Sequence, residues 1–138
     1  MAKNFTAQVD EIILKTNERI TAVVRESVQR TVDEAQTPVA KGGKMRVDTG
    51  FLRASGQMSL SGMPSGPVRG DAEQRYEYSD ASVITTLASV EPGKTIYFGW
   101  TANYAKYREA YDGFLGAAVQ NWPSTVASVV REVVNRIR

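Results

Sequence analysis

The chain has 138 residues and a net charge of +2, from 17 basic and 15 acidic residues, with no cysteine and no histidine. This length fits a single domain over residues 1–138 and is sufficient to bury a core. The missing cysteine excludes disulfides and thiolate chemistry, and the missing histidine removes the commonest general base and metal ligand. We therefore expect no enzymatic activity, no metal and no cofactor.

No apolar run approaches the roughly 20 residues of a membrane-spanning helix. The first five residues, Met1–Phe5, lack the apolar stretch of a signal peptide. We expect a soluble intracellular protein without membrane contact.

Residues 4–35 are predicted to form one long amphipathic helix. The apolar residues recur at three- and four-residue steps and are Phe5, Val9, Ile12, Ile13, Ile20, Val23, Val24, Val28 and Val32. At 1.5 Å per residue this helix is about 48 Å long, more than a domain with a radius of gyration of about 14 Å requires. Either the helix wraps over its own sheet, or part of its apolar face packs against another chain.

Charge is unevenly distributed after this helix. Residues 36–55 contain four basic residues, Lys41, Lys44, Arg46 and Arg53, against Asp48 alone, which gives a net charge of +3. Residues 56–81 contain two arginines against four acids and have a net charge of −2. Both segments are interpreted either as solvated loops or as opposite patches that meet on neighbouring subunits.

Residues 45–100 are predicted to contain the sheet and its loops. Strands are expected at 57–61, 82–90 and 95–100, and the last two should form a hairpin around the turn at 91–94. The excursion 63–81 is rich in Gly, Pro and Ser and then charged. We expect it to be a mobile loop, with a possible strand of its own, that orders against a neighbouring chain through Tyr76 and Tyr78.

Residues 103–138 are predicted to be helical in three pieces. The first helix spans 103–111 and ends before Gly113, and Pro123 separates the second from the third. Tyr104, Tyr107 and Tyr111 share one face of the first helix. An aromatic stripe at this spacing favours the core, with a contact between subunits as the alternative. The predicted fold class is therefore α+β: a small antiparallel sheet of about three to five strands, with the long N-terminal helix and the C-terminal helix packed against it.

Two short signatures lie about 45 residues apart. The first is Val47-Asp48-Thr49-Gly50-Phe51-Leu52-Arg53-Ala54-Ser55, in which Asp48 or Thr49 is expected to cap a helical turn that directs Phe51 and Leu52 inward and Arg53 outward. The second is Phe98-Gly99-Trp100-Thr101-Ala102-Asn103-Tyr104-Ala105-Lys106-Tyr107-Arg108-Glu109, followed by Gly113-Phe114-Leu115.

Together these signatures resemble the siphophage tail-completion proteins, the head–tail joining or neck components that include the minor tail component family of lambdoid-type phages. Asp48, Gly50, Leu52 and Arg53 match the first family motif. The second family motif is matched by Tyr104, Ala105, Tyr107 and Glu109, whereas Tyr111 stands where the family often has a glycine. The resemblance covers roughly residues 45–125.

The resemblance implies a bacteriophage virion protein that is made in the bacterial host cytoplasm and located at the head-proximal end of the tail. It implies self-association as a ring, usually a hexamer. The expected partners are the tail tube protein and head connector or adaptor proteins, and DNA passes through the channel without specific recognition. The motif positions are expected to hold the fold more than to bind a ligand.

Two alternatives remain. One is a small nucleic-acid-binding module that uses the basic segment 41–53, although the nearly balanced net charge disfavours a dedicated nucleic-acid binder. The other is an ancillary enzyme, for which no nucleophile, base and orienting group are evident. Glu109, the one acidic residue of the second signature, is expected to pair with Lys106 or Arg53.

Overall fold

In a computed structural model, which describes residues 4–137, the chain is mostly helical and has a small antiparallel sheet. In chain order the elements are α1 (Phe5–Gln36), a 3-10 turn (Val39–Lys41), α2 (Phe51–Ala54), β1 (Gly56–Ser59), α3 (Ala81–Ser89), β2 (Tyr97–Trp100), α4 (Ala105–Asp112), α5 (Phe114–Gln120) and α6 (Trp122–Arg136). The α+β class and the long N-terminal helix are confirmed.

Helix α1 is continuous because no glycine or proline interrupts it before Pro38. At its start, the Ala7 N–H donates to the side-chain oxygen of Asn4 at 2.7 Å, which satisfies one of the free N–H groups of the first turn. It ends at Thr37, whose extended backbone leads into the proline. No helix in the described part of the chain has both the length and the hydrophobicity that a membrane span requires.

Helix α6 lies antiparallel along the second half of α1. Three polar contacts fix the alignment: Arg30 with Glu132, Arg136 with Glu26, and the Nε of Arg19 with the carbonyl oxygen of Ile137 at 2.8 Å. Val129 and Val133 of α6 are fully buried. The C-terminal helix therefore packs on α1 and not on the sheet, contrary to the prediction.

The sheet has two strands, not three to five. Strands β1 and β2 pair antiparallel, with Gly56 opposite Trp100 and Met58 opposite Phe98. The predicted strand 82–90 is wrong, because this segment forms α3. The predicted turn does exist, with a hydrogen bond from Lys94 N–H to the Glu91 carbonyl, but it joins a helix to β2 and not two strands.

Helix α3 occupies the place where a third strand would pair. Its Ser82 hydroxyl accepts from the Met58 N–H at 3.1 Å, and its Thr86 hydroxyl donates to the Met58 carbonyl at 3.3 Å. Both backbone groups of Met58 are thereby satisfied by side chains one helical turn apart. Val83 and Leu87 of the same helix are buried, and this four-residue spacing outweighs the β-branched composition that favoured a strand.

The core consists of two clusters beside the sheet. One contains Val32, Met58, Val83 and Leu87, and the other contains Met45, Leu52, Ala102 and Phe114. Aromatic residues of β2 join them: the Trp100 ring lies 5.0 Å from Phe114 and 5.1 Å from Phe98, both in edge-to-face geometry. Because β2 contacts both clusters, its position couples the two parts of the core.

Gln36, the last residue of α1, is only 2% exposed and bonds to both signatures. Its side-chain oxygen accepts from Trp100 Nε1 at 2.8 Å, and its Nε2 donates to the Arg53 carbonyl at 2.9 Å. In return, Arg53 Nε donates to the Gln36 carbonyl at 2.7 Å. Gly56 packs so closely that a Cβ there would lie 2.6 Å from the Gln36 Nε2.

We predict that Gln36→Ala lowers the free energy of unfolding by about 2–4 kcal/mol, because it leaves the Trp100 indole N–H and a backbone carbonyl buried without partners. Urea unfolding followed by Trp fluorescence measures the change. Gln29→Ala, an exposed position of the same helix, is the matched control. If the two variants lose equal stability, the buried amide is not the link proposed here.

Candidate functional site

The two signatures meet at one cleft of about 660 Å³. Its walls come from three parts of the chain: residues 46–53, residues 69–72, and the second half of the second signature at Asn103, Tyr104 and Arg108. Segments that are far apart in sequence are therefore brought together in the same place. This convergence makes the cleft the first candidate functional site.

The first signature forms the short helix α2, with Gly50 as its N-cap in the left-handed conformation at φ +87°. A Cβ at this position would lie 2.3 Å from the Tyr76 carbonyl oxygen, so both the backbone and the neighbouring loop require glycine. The Thr49 hydroxyl accepts from the Phe51 N–H at 3.3 Å. Asp48 makes no side-chain cap; its carbonyl oxygen accepts from Arg75 Nη1 at 2.6 Å.

Leu52 and Arg53 both contribute to the interior. Leu52 is buried, as predicted, and Phe51 beside it is half-buried. Arg53 does not point outward, contrary to the prediction. Its guanidinium turns back to the Gln36 carbonyl and lies 5.1 Å from the centre of the Tyr78 ring, which is within the range of a cation–π contact.

The excursion 63–81 is fastened to its own chain. Val68 exchanges backbone hydrogen bonds with residues on either side of Ala102, and the Tyr76 N–H donates to the Thr49 carbonyl at 2.8 Å. The Tyr76 ring packs edge-on against Phe51 at 4.9 Å. In the described chain the loop forms one isolated bridge and no strand of its own. Tyr76 and Tyr78 thus contact their own subunit, and a role for them against a neighbour stays a prediction.

The tyrosines of the second signature lie on the outside of α4. Tyr107 and Tyr111 are 60% and 83% exposed, so the prediction that this stripe enters the core is wrong. Helix α4 contains no buried residue and contacts little besides α5. Only Tyr104 approaches the cleft, where desolvation raises the pKa of its phenol, so the group remains a neutral hydrogen-bonding side chain.

Glu109 caps the helix that follows its own. Its carboxylate accepts from the N–H groups of Leu115 at 2.8 Å and Gly116 at 3.0 Å, at the start of α5. Gly113, at φ +67°, makes the turn between the two helices. The predicted pair with Lys106 or Arg53 is wrong because both carboxylate oxygens face these N–H groups. The sequence signal for this capping role was an acidic residue that precedes a glycine and a second helix.

The cleft carries more positive than negative charge. Arg46, Arg53, Arg69 and Arg108 line it against Asp48 and Asp71, a difference of two charges. Arg108 is already paired with Asp112 at 2.5 Å, and Arg53 bonds to Gln36. Within residues 4–137, neither the Arg46 nor the Arg69 guanidinium has a hydrogen-bond or ion-pair partner. These two cations are available for an external group.

Among the described residues, no group of three or more acidic side chains is placed to hold a metal ion. The cleft joins an aromatic wall, two unpaired arginines and two aspartates, a combination suited to binding a polypeptide with an apolar side chain and a negative charge. The absence of enzymatic activity, metal and cofactor stays a prediction.

The second candidate site is the first half of α1, residues 5–18, which we call the N-terminal arm. Because α6 ends beside Arg19, the arm extends beyond the helices that cover the rest of α1 by about 21 Å. Phe5 and Ile12 are 79% and 64% exposed, and Ile13 and Leu14 are also exposed. An apolar face that is covered in one half of a helix and bare in the other is typical of an interaction site.

Comparison of the chain with protein families, curated proteins and solved structures finds no significant match in any of the three.

We predict that Glu109→Ala lowers the free energy of unfolding by about 1 kcal/mol, because two N–H groups at the start of α5 lose their acceptor. Glu109→Gln keeps one acceptor oxygen and should lose less. Lys106→Ala, an exposed change on the same helix, should be nearly neutral. Equal stability of Glu109→Ala and Lys106→Ala in thermal unfolding would contradict the capping role.

Proposed function

We propose that this protein is a structural component of a phage virion, a tail-completion or neck protein. In this role it caps the tail tube and helps to join tail to head as an oligomeric ring. The motif resemblance supplies the place in the particle and the expected hexameric arrangement. The bare N-terminal arm is the observation that supports an assembly role most directly.

The exposed apolar residues of the arm support an assembly role, because leaving them in water is unfavourable in free energy. Phe5 and Ile12 precede Arg19 by 14 and 7 residues, so they lie on the side of α1 that contacts α6. Each large apolar side chain gains about 1.5–3 kcal/mol when it is fully removed from water. Two such residues on one side of the arm are readily explained by a second protein surface that covers them.

The signatures support the proposal as framework elements. Gly50 and Arg53 hold the excursion and α1 in place, and Glu109 fixes α5 relative to α4. This arrangement agrees with the expectation that the motif positions hold the fold. A virion component needs a fixed scaffold from which interacting surfaces project, and these contacts supply one.

The proposed partners are other copies of the chain, the tail tube protein and the head connector or adaptor proteins. DNA crosses the ring without base-specific contacts. The protein is made in the host cytoplasm and incorporated into the virion.

A nucleic-acid-binding module is the second candidate, and the exposed side chains of Lys41, Lys44 and Arg46 favour it. Two observations weaken it. Arg53 is committed to Gln36 and Tyr78 inside the subunit, and Asp48 and Asp71 lie in the same cleft as the free arginines. Both features reduce the attraction for a phosphate backbone.

The proposed function predicts that a phage lacking this gene produces filled heads and free tails that do not join. Negative-stain electron microscopy of the lysate shows this, and a plasmid copy of the gene should restore whole particles. Antibody labelling of wild-type virions should mark the head-proximal end of the tail. Normal infectious particles from the deletion strain would contradict the proposal.

DNA binding distinguishes the two candidates. If the protein acts as a ring component, it should form no stable complex with duplex DNA at physiological salt, because few phosphates would be neutralised. Fluorescence anisotropy with a labelled duplex, over a range of salt concentrations, measures this. Tight binding that is lost in a Lys41→Ala/Lys44→Ala variant, with Lys94→Ala as the control, would favour the nucleic-acid module.

A further inference from the structure

The arm and the cleft lie at opposite ends of the same helix. The arm is the N-terminal part of α1, whereas Gln36 at the C-terminal end of α1 bonds directly to Arg53 in the cleft wall. The whole of α1, including the arm, is about 48 Å long. One subunit therefore presents a bare projecting element at one end and an open receiving site at the other.

The cleft offers an aromatic surface beside free positive charge. Two aromatic residues line it, Phe51 and Tyr104, with ring centres 6.3 Å apart, and Tyr76 outside the lining packs against Phe51 at 4.9 Å. Arg46 and Arg69 line the same cleft without partners among residues 4–137. An aromatic side chain that is followed by a carboxylate would fit both features.

The arm carries this combination. Phe5 is the most exposed apolar residue of α1. From Asn4 to Leu14 the only charged residues are Asp10 and Glu11, so this part of the arm is acidic. Asp10 lies about 7.5 Å from Phe5 along the helix axis and about 140° around it, so an arm that enters the cleft directs the two side chains toward different walls.

We propose that the N-terminal arm of one subunit docks in the cleft of a second copy, with Phe5 against Phe51 and Tyr104 and Asp10 at Arg46 and Arg69. The inference deepens the proposed function, on which it rests, by naming the two surfaces that join neighbouring subunits.

The geometry makes the contact head-to-tail, because the surface given by one subunit differs from the surface it receives. Such heterologous contacts form closed rings when the rotation between subunits closes, and two subunits that exchange arms form a reciprocal pair. Asp48 and Asp71 in the cleft favour a polypeptide over a polyphosphate as the occupant. Charge complementarity therefore points to the arm and not to nucleic acid.

Cysteine cross-linking tests the contact directly, because the natural chain contains no cysteine. Full-length Thr6→Cys protein, which keeps the Phe5 anchor and changes an exposed neighbour, is mixed with full-length Ala72→Cys protein that carries a mass tag, and the mixture is oxidised at high micromolar concentration. Ala72 lines the cleft and is exposed. The expected product is a mixed disulfide between the two variants. Gln120→Cys, an exposed position outside the cleft, replaces Ala72→Cys in the control and should give no enrichment.

Three results would overturn the proposal. A Thr6→Cys homodimer as the main product would mean that arms pair with each other. No cross-link above the Gln120→Cys background would mean that the arm does not reach the cleft. A cleft that instead protects Ala72→Cys from a thiol reagent only when duplex DNA is added would assign the site to nucleic acid.

Substitutions test the chemistry of the contact. Phe5→Ala should weaken self-association in sedimentation velocity by at least about tenfold, the effect of losing an interface anchor, whereas Tyr111→Ala, which removes the most exposed tyrosine, should not. Asp10→Arg and the Arg46→Glu/Arg69→Glu double variant should each weaken association, and the mixture of both proteins should restore it. A mixture no stronger than either protein alone would contradict the assigned charges.

The inference and the proposed function fail in distinguishable ways. If the mixed disulfide forms but the protein is absent from virions, the interface is supported and the neck assignment is contradicted. A protein that labels the neck but forms no mixed disulfide, even in purified virions that carry both cysteines, would retain the assignment and reject this interface.

Discussion

The buried amide of Gln36 is the contact on which the arrangement of this chain depends. It comes at the last turn of α1, it accepts from the Trp100 indole in β2, and it donates to the Arg53 carbonyl in α2. A buried amide with its partners in place is stable, and one with partners missing is costly. The long helix, the sheet and the first signature therefore hold one relative position, and Gly56 leaves the space that this contact needs.

The cleft follows from the same constraint. Once Arg53 is turned inward toward Gln36, the segment before it is exposed along the surface, and the excursion packs against it through Tyr76. Arg46 and Arg69 then both line one cavity. Gly50, Arg53 and Glu109 of the two signatures make their contacts inside the subunit, while Arg69 and the exposed Phe5 lie outside both signatures.

The helices were largely predictable because their signals are long and periodic. The apolar pattern of α1 continues over the 32 residues that form this helix. The glycine at 113 marks the turn between α4 and α5, and the proline at 123 marks the start of α6. Helix α3 was not predictable from Val83–Thr86, since β-branched residues favour a strand until tertiary contacts decide. The side-chain bonds from Ser82 and Thr86 to the edge of β1 are such contacts. The inward turn of Arg53 likewise depends on Gln36, 17 residues away, which no local pattern shows.

The two halves of α1 have different physical requirements. An isolated helix of 14 residues is marginal in water, because forming its first turn fixes several residues for a single hydrogen bond. The arm avoids this nucleation cost because it continues a helix that α6 already holds from Arg19 onward. A preformed element loses less conformational entropy on docking than a segment that must fold at the same moment. In the docking proposed above, the packed half of α1 thus supplies the bare half as a preformed helix.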